Sequence, residues 1–141
     1  MIPKCVPHKI YRISAWYDLC VTWPFAAPFT MAVFWSSMMS PLNAFLGLGA
    51  LPDLASHTML FANFFGTVVV VWSLVRLVWN DTRLAIYDGV GRVFFSVWMG
   101  VALYSGITPL VWLFLVPEVL FAVLQIAGFF WLSSQGAAVD T

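Results

Sequence analysis

Four apolar runs, each long enough to cross a bilayer, dominate this sequence. They cover residues 13–39, 57–79, 84–107 and 110–132. A transmembrane helix needs about 20 mainly apolar residues, so each run predicts one spanning helix. The chain has 141 residues, of which 62% are hydrophobic and 9% are charged, whereas a soluble domain carries about 25% charged residues. The sequence therefore predicts an integral membrane protein.

The connections between the last three runs are short, at residues 80–83 and 108–109. Short connections force neighbouring helices to run antiparallel, so we predict an all-α, up-down four-helix transmembrane bundle that forms a single domain over residues 1–141. Residues 40–56, between the first two runs, are too few to span a membrane as a helix, and Gly47, Gly49 and Pro52 interrupt them. We predict that this stretch is a partly helical segment at the membrane interface.

The basic residues indicate an orientation. They lie before the first run or around the second connection, at Lys4, Lys9, Arg12, Arg76, Arg83 and Arg92. The first and third connections contain neither Lys nor Arg, so the positive-inside rule predicts that both termini are cytoplasmic. Six basic residues are also too few to form a basic stripe, and we therefore predict no nucleic-acid partner.

The cysteines and histidines argue against redox, haem and metal chemistry. Cys5 and Cys20 do not form a Cys-x-x-Cys pair, which a membrane thiol oxidoreductase would need. His8 and His57 lie at opposite predicted edges of the membrane, so one chain cannot supply two haem ligands at one depth. No cluster has the spacing of metal ligands. We therefore predict no metal site, no cofactor and no catalytic residue, and an enzyme is the least favoured class of function.

Three charged residues lie at similar predicted depth in the inner half of the membrane, namely Asp18, Asp88 and Arg92. Asp88 and Arg92 are four residues apart, so they share a helical face and can pair. The simplest assembly places Arg92 between the two aspartates. Small and polar residues continue both faces at the same spacing, as Ser96 and Gly100 on the third helix and Thr22, Ala26 and Thr30 on the first. This group is either a charge-neutralising staple between helices, which we favour, or a proton or substrate relay.

A second polar group, Asn63 and Glu118, is predicted in the outer half of the membrane. No Lys or Arg is predicted in that half, and a protonated Glu118 bonded to the Asn63 amide would satisfy both side chains. This pair is either an interhelical hydrogen bond that fixes packing or a proton-coupled or cation-binding carboxyl group. Gln125, two turns further along the same face of the fourth helix, extends either role.

Two prolines, Pro24 and Pro28, lie inside the first run. Each lacks an amide hydrogen, so the carbonyl groups of Cys20 and Pro24 lose their helical donors. Such a break is either a packing kink, which we favour, or a discontinuity that presents carbonyl groups to a cavity, as in some transporters.

Four blocks of the sequence resemble the BphX-like group of small bacterial membrane proteins. The blocks are WPFAAPFT, FANFFGTVVVVWSLVRL, DGVGRVFFSVWM and LVPEVLFAVLQ. Members of this group are encoded near genes for the breakdown of aromatic compounds such as biphenyl. The resemblance implies a multi-pass protein of the bacterial inner membrane with four helices and no assigned activity, and it offers no site residues to carry over.

Two functions remain open from the residues and the resemblance. The first is a non-catalytic accessory or interaction protein, linked to the handling of aromatic or apolar compounds. The second is a small oligomeric proton-coupled transporter or channel that uses Glu118, Asn63 and the group of Asp18, Arg92 and Asp88. The predicted partners are the lipid bilayer, further copies of the chain or a larger membrane complex, and a small apolar or aromatic molecule.

Overall fold

The fold was analysed in a computed structural model, which describes residues 5–49, 51–79, 81 and 83–137. These ranges contain helices and connections and no β-strand, so the all-α prediction is confirmed. The helices are α1 (Cys5–Thr22), α2 (Pro28–Phe34), α3 (Ser40–Phe45), α4 (Ser56–Trp79), α5 (Leu84–Tyr104) and α6 (Trp112–Ala137). A 3₁₀ turn (Trp23–Ala26) follows α1, a π-helical turn (Trp35–Met39) joins α2 to α3, and a second 3₁₀ turn (Pro109–Val111) precedes α6.

Three helical stretches are long and apolar enough to cross a membrane: Ser56–Trp79, Leu84–Tyr104 and Pro109–Trp131. Their bounds agree with the second, third and fourth predicted runs to within one helical turn. No more than 22% of each apolar window is buried inside the chain, so most of these side chains point outward. An outward-facing apolar surface of this length fits a membrane protein.

The break predicted at Pro24 and Pro28 is present in the first run, and it is sharp. Two helical arms, His8–Ala26 and Pro28–Phe45, meet at an angle of 104°. Ala27, between them, has extended backbone angles of φ −142° and ψ 146°. The physical reason is Pro28, whose ring disfavours the helical conformation for the residue before it. The two arms add a fourth candidate span if together they cross as one bent unit.

The second arm extends into the predicted interfacial segment, residues 40–56. Its first six residues form α3, and the helix ends before Gly47, which has a φ of 67° that favours glycine. Residues 51–55 are not helical, and α4 begins at Ser56. The segment is therefore partly helical, as predicted, but its helical part continues the bent arm.

The chain divides into two compact units. The α5–α6 unit comprises Met1–Ser14 and Trp79–Thr141, and the α2–α4 unit comprises Ala15–Val78. Lys4, both ends of the chain, and Asn80 and Thr82 of the predicted second connection lie outside the described residues. The cytoplasmic orientation, the up-down topology and the single domain therefore stay predictions.

Within the α5–α6 unit, α5 and α6 pack against each other. Their backbones approach closely at Gly89, where an added Cβ atom would lie 2.8 Å from Cγ1 of Ile126. Glycine at a helix interface permits this approach. The contact also fixes the register of the two helices, because it sets Gly89 beside Gln125 and Ile126.

Candidate functional site

The charged side chains of the described residues fall into an exposed set and an unexposed set. Exposed are Lys9, Arg12, Asp53, Asp81 and Arg83, whereas Asp18, Arg76, Asp88, Arg92 and Glu118 are buried or half-buried. The unexposed set contains three carboxyl groups and two guanidinium groups. An uncompensated buried charge costs several kcal/mol of stability. The stability of the fold therefore depends on how these groups are paired.

In the α5–α6 unit, Arg92 lies between two carboxylates. Its Nε atom is 3.0 Å from Oδ2 of Asp88, and its Nη1 atom is 2.9 Å from Oε2 of Glu118. The pair predicted from the four-residue spacing of Asp88 and Arg92 is therefore confirmed. The guanidinium carbon also lies 5.2 Å from the ring centroid of Phe121, where a cation–π interaction adds to its stabilisation.

Glu118 was predicted without a basic residue in its half of the membrane, yet it forms an ion pair with Arg92. Glu118 lies about eight residues from one predicted membrane edge and Arg92 about eight from the other, or about 12 Å from each edge at 1.5 Å per residue. In a hydrocarbon core about 30 Å thick, their backbones then differ in depth by only about 6 Å. An arginine side chain is long enough to bridge that difference. A depth counted along the backbone does not include the length of the side chain.

Gln125 connects α6 to the part of α1 that belongs to the same unit. Its Nε2 atom donates to Oγ of Ser14 at 2.6 Å, and the Ser14 hydroxyl donates to the carbonyl oxygen of Tyr11 at 2.8 Å. Gln125 is only 3% exposed. Across the described part of the chain, neither Oε1 of Gln125 nor Oγ of Ser96 has a hydrogen-bond partner.

These side chains follow the α5–α6 contact, and we name them together the polar seam: Asp88, Arg92, Ser96, Glu118 and Gln125. Four of the five were predicted as site residues, and the fifth was predicted on the same face of the third helix. The seam contains both an ion-pair cluster and oxygen atoms without donors.

A separate ion pair, between Arg76 and Asp18, lies in the α2–α4 unit. Arg76 is fully buried, and its Nη2 atom is also 3.4 Å from Oγ of Ser73. Arg76 was predicted only as a marker of orientation, and its pairing with Asp18 was not predicted. The available signal was its position near the inner end of its helix, from which its side chain reaches the depth of Asp18. The predicted contact between Asp18 and Arg92 would join the two units and stays a prediction.

The bend in the first run is held by side chains of the same α2–α4 unit. Nδ2 of Asn63 donates to the carbonyl oxygen of Phe25 at 2.8 Å. The Thr67 hydroxyl donates to the carbonyl oxygen of Ala26 at 3.4 Å. The Thr30 hydroxyl lies 2.7 Å from the carbonyl oxygen of Pro24 and 2.9 Å from that of Ala27. We name Asn63, Thr67 and Thr30, together with Gly66, the bend clamp.

The bend clamp changes two sequence-based interpretations. Thr30 lies beyond the bend, so the predicted stripe from Asp18 through Thr22 and Ala26 does not continue along one straight helix. The carbonyl group of Pro24, predicted to lose its helical donor, accepts a hydrogen bond from Thr30. The predicted bond between Asn63 and Glu118 would join the two units and stays a prediction.

Within the described ranges, no group of three or more His, Cys, Asp or Glu residues is arranged to hold a metal ion. No protein-family model matches the chain, and neither a curated protein nor a solved structure matches it. The resemblance to the BphX-like group accordingly stays a prediction.

Proposed function

We propose that this chain is a multi-pass protein of the bacterial inner membrane that acts as a non-catalytic accessory or interaction protein. Its termini are cytoplasmic in this proposal, as the basic residues indicate. The resemblance to the BphX-like group adds a link to the handling of aromatic or apolar compounds. Further copies of the chain, or a larger membrane complex, are the proposed partners.

One observation carries this proposal: buried polar groups make bonds within their own unit, while the apolar helices direct most of their side chains outward. Arg76 with Asp18, and Arg92 with Asp88 and Glu118, are ion pairs of this kind. Paired groups of this kind serve packing and need no substrate. The outward-facing aromatic and aliphatic side chains are what remains to contact lipid and partner helices.

Photo-crosslinking tests the accessory function directly. A photoreactive phenylalanine analogue at Phe64 of α4 or at Phe94 of α5, which are 60% and 57% exposed, is expected to give a discrete protein adduct in intact cells. The same analogue at the half-buried Phe121 is the matched control and should give none. Adducts with lipid alone at both exposed positions would contradict an interaction role.

The second candidate function, proton-coupled transport, is favoured by a different observation. In the α5–α6 unit, Arg92 contacts both Asp88 and Glu118, and the Glu118 side chain is 16% exposed, more than those of Arg92 (3%) and Asp88 (6%). A partly accessible acidic group beside a fixed cation is an arrangement that proton-coupled transporters use.

Reconstitution separates the two functions. As an accessory protein, the purified chain in liposomes should give no flux of protons, cations or small aromatic acids above that of empty liposomes. Glu118→Gln should also retain partner crosslinking, because an amide can still accept a hydrogen bond from Arg92. Proton-dependent uptake by the wild type that disappears in well-folded Glu118→Gln would establish transport instead.

A further inference from the structure

We propose that the exposed face of α1 binds one anionic phospholipid of the cytoplasmic leaflet, with Lys9 and Arg12 at its phosphate group and Trp16 beside its acyl chains. The proposal rests on the proposed location in a membrane with cytoplasmic termini. It goes beyond the proposed function, because a specific lipid can support an accessory protein or a transporter. Three features of α1 support it: the division of the helix into two faces, the charges on the exposed face, and the apolar side chains that follow them.

α1 has one exposed face and one buried face. The exposed positions recur every three or four residues, at Lys9, Arg12, Ile13, Trp16 and Cys20. The opposite side is buried, at Tyr11, Ser14 and Asp18. With about 3.6 residues per turn, the exposed positions share one stripe that is about 100° wide. A ligand that lies along the helix can therefore contact all of them.

Lys9 and Arg12 give this face two positive charges about one helical turn apart. Both side chains are exposed, and neither forms an ion pair with another residue of the described ranges. The acidic residue of α1, Asp18, lies on the buried face and pairs with Arg76. No carboxylate of α1 therefore competes for the two cations, and a phosphate group matches both their charge and their hydrogen-bond donors.

The side chains that follow the two cations favour a lipid over a free phosphate ion. Ile13 and Trp16 continue the exposed face, and they are 58% and 53% exposed. Trp16 lies four residues beyond Arg12, or about 6 Å along the helix. Tryptophan is enriched at the level where lipid headgroups meet acyl chains. A charged end that is followed by an apolar surface matches the two parts of a phospholipid.

Arg83 provides a comparison within the same chain. It is also an exposed arginine, but Asp81, which is exposed too, lies two residues before it and accepts a hydrogen bond from its backbone amide at 2.9 Å. The nearby carboxylate lowers the local positive potential. An anionic lipid should therefore prefer the exposed face of α1 to the surroundings of Arg83.

The test measures lipid binding to the purified full-length chain in detergent, by native mass spectrometry and by the thermal unfolding midpoint. Phosphatidylglycerol is the anionic lipid, and phosphatidylcholine with the same acyl chains is the zwitterionic reference. We expect one phosphatidylglycerol to bind saturably, to raise the midpoint, and to bind at least about fivefold more tightly than phosphatidylcholine. Arg12→Gln should lower this affinity about fivefold, which corresponds to about 1 kcal/mol, the contribution of one basic residue at a membrane surface. Lys9→Gln combined with Arg12→Gln should remove the preference for the anionic lipid.

Arg83→Gln is the matched control, because it removes the same charge beside Asp81. It should bind phosphatidylglycerol within about twofold of wild type. Trp16→Ala should weaken both lipids by a similar factor, because it removes an apolar contact and no charge. All four substituted positions are exposed, so the far-UV circular dichroism of the variants should match that of wild type.

Equal affinities for the two lipids, or equal losses in Arg12→Gln and Arg83→Gln, would overturn the proposal. Full competition by glycerol 1-phosphate, which has a phosphate group but no acyl chains, would identify a phosphate site and would also overturn it. Crosslinking from Phe64 or Phe94 tests the accessory function separately. A chain that crosslinks to a protein partner but shows no lipid preference would contradict only the lipid site.

Discussion

The bend clamp and the polar seam solve the same physical problem with different chemistry. Both must satisfy polar groups at places where apolar helices dominate the surroundings. The bend clamp uses neutral donors, Asn63, Thr67 and Thr30, on backbone carbonyl groups that the break in the helix exposes. The polar seam uses ionised side chains, with Arg92 shared between Asp88 and Glu118.

The two regions differ in whether every polar group has a hydrogen-bond partner. In the bend clamp, each carbonyl group from Pro24 to Ala27 accepts a hydrogen bond from a threonine or asparagine side chain of the described chain. In the polar seam, two carboxylates share one arginine, and Gln125 keeps an oxygen without a donor. A satisfied neutral network contributes rigidity, whereas removing one member of a buried charged network leaves its oppositely charged partners uncompensated. The polar seam should therefore be more sensitive than the bend clamp to the loss of one side chain.

The largest effect is expected when Arg92, whose guanidinium group pairs with both Asp88 and Glu118, is replaced. Arg92→Ala leaves Asp88 and Glu118 buried without their common partner, and breaking a buried ion pair in this way costs about 3–5 kcal/mol. The free energy of unfolding in mixed detergent micelles should fall by that amount. The measurement is a denaturant or thermal titration of the purified chain.

A double-mutant cycle makes this prediction specific. When Asp88→Asn and Glu118→Gln are already present, Arg92→Ala should cost much less, because no carboxylate is left without a partner. Asp53→Asn, at an exposed acidic residue, is the control background and should leave the full cost of Arg92→Ala in place. Losses that simply add in the first background would reject the pairing.

The sequence predicts those parts of this fold that depend on local patterns. The lengths of the second, third and fourth apolar runs define α4, α5 and α6, because a long apolar stretch needs no tertiary information to be recognised. The spacing of Asp88 and Arg92 likewise predicts their pair, since helical periodicity fixes which residues share a face. The two prolines of the first run predict the break, but they do not predict its angle, which the clamp residues help to set.

The partners of the charged residues were harder to predict for a related reason. Depth along a helix locates the backbone, but Arg76 and Arg92 reach their partners through flexible side chains. The pairs Arg76–Asp18 and Arg92–Glu118 are separated by 58 and 26 residues in the sequence. No local pattern encodes contacts of that range, so the choice among several acidic groups at similar depth requires the fold.

An intermediate effect is expected at the closest backbone contact of the bend clamp. A Cβ atom on Gly66 would lie 2.6 Å from the carbonyl oxygen of Phe25 and 2.8 Å from the amide nitrogen of Ala26. Since backbone atoms cannot rotate away, Gly66→Ala should cost about 1–3 kcal/mol of unfolding free energy. Gly100→Ala, in α5, is the matched control because nothing lies within 4 Å of its added Cβ. That control should be neutral or stabilising by up to about 1 kcal/mol, and equal effects at both glycines would refute the close approach.

The smallest effect tests whether a neutral donor in the bend clamp matters for structure. Asn63→Leu removes the 2.8 Å hydrogen bond to the carbonyl oxygen of Phe25, and a single interhelical hydrogen bond in a membrane protein is worth about 0.6–2 kcal/mol. Thr67→Val, which removes a longer bond of 3.4 Å from an exposed residue, should cost less than Asn63→Leu. Hydrogen exchange at the amide groups around the bend would rise in Asn63→Leu and stay near wild type in Thr67→Val. Equal exchange rates around the bend in the two variants would contradict a structural role for Asn63 in the bend clamp.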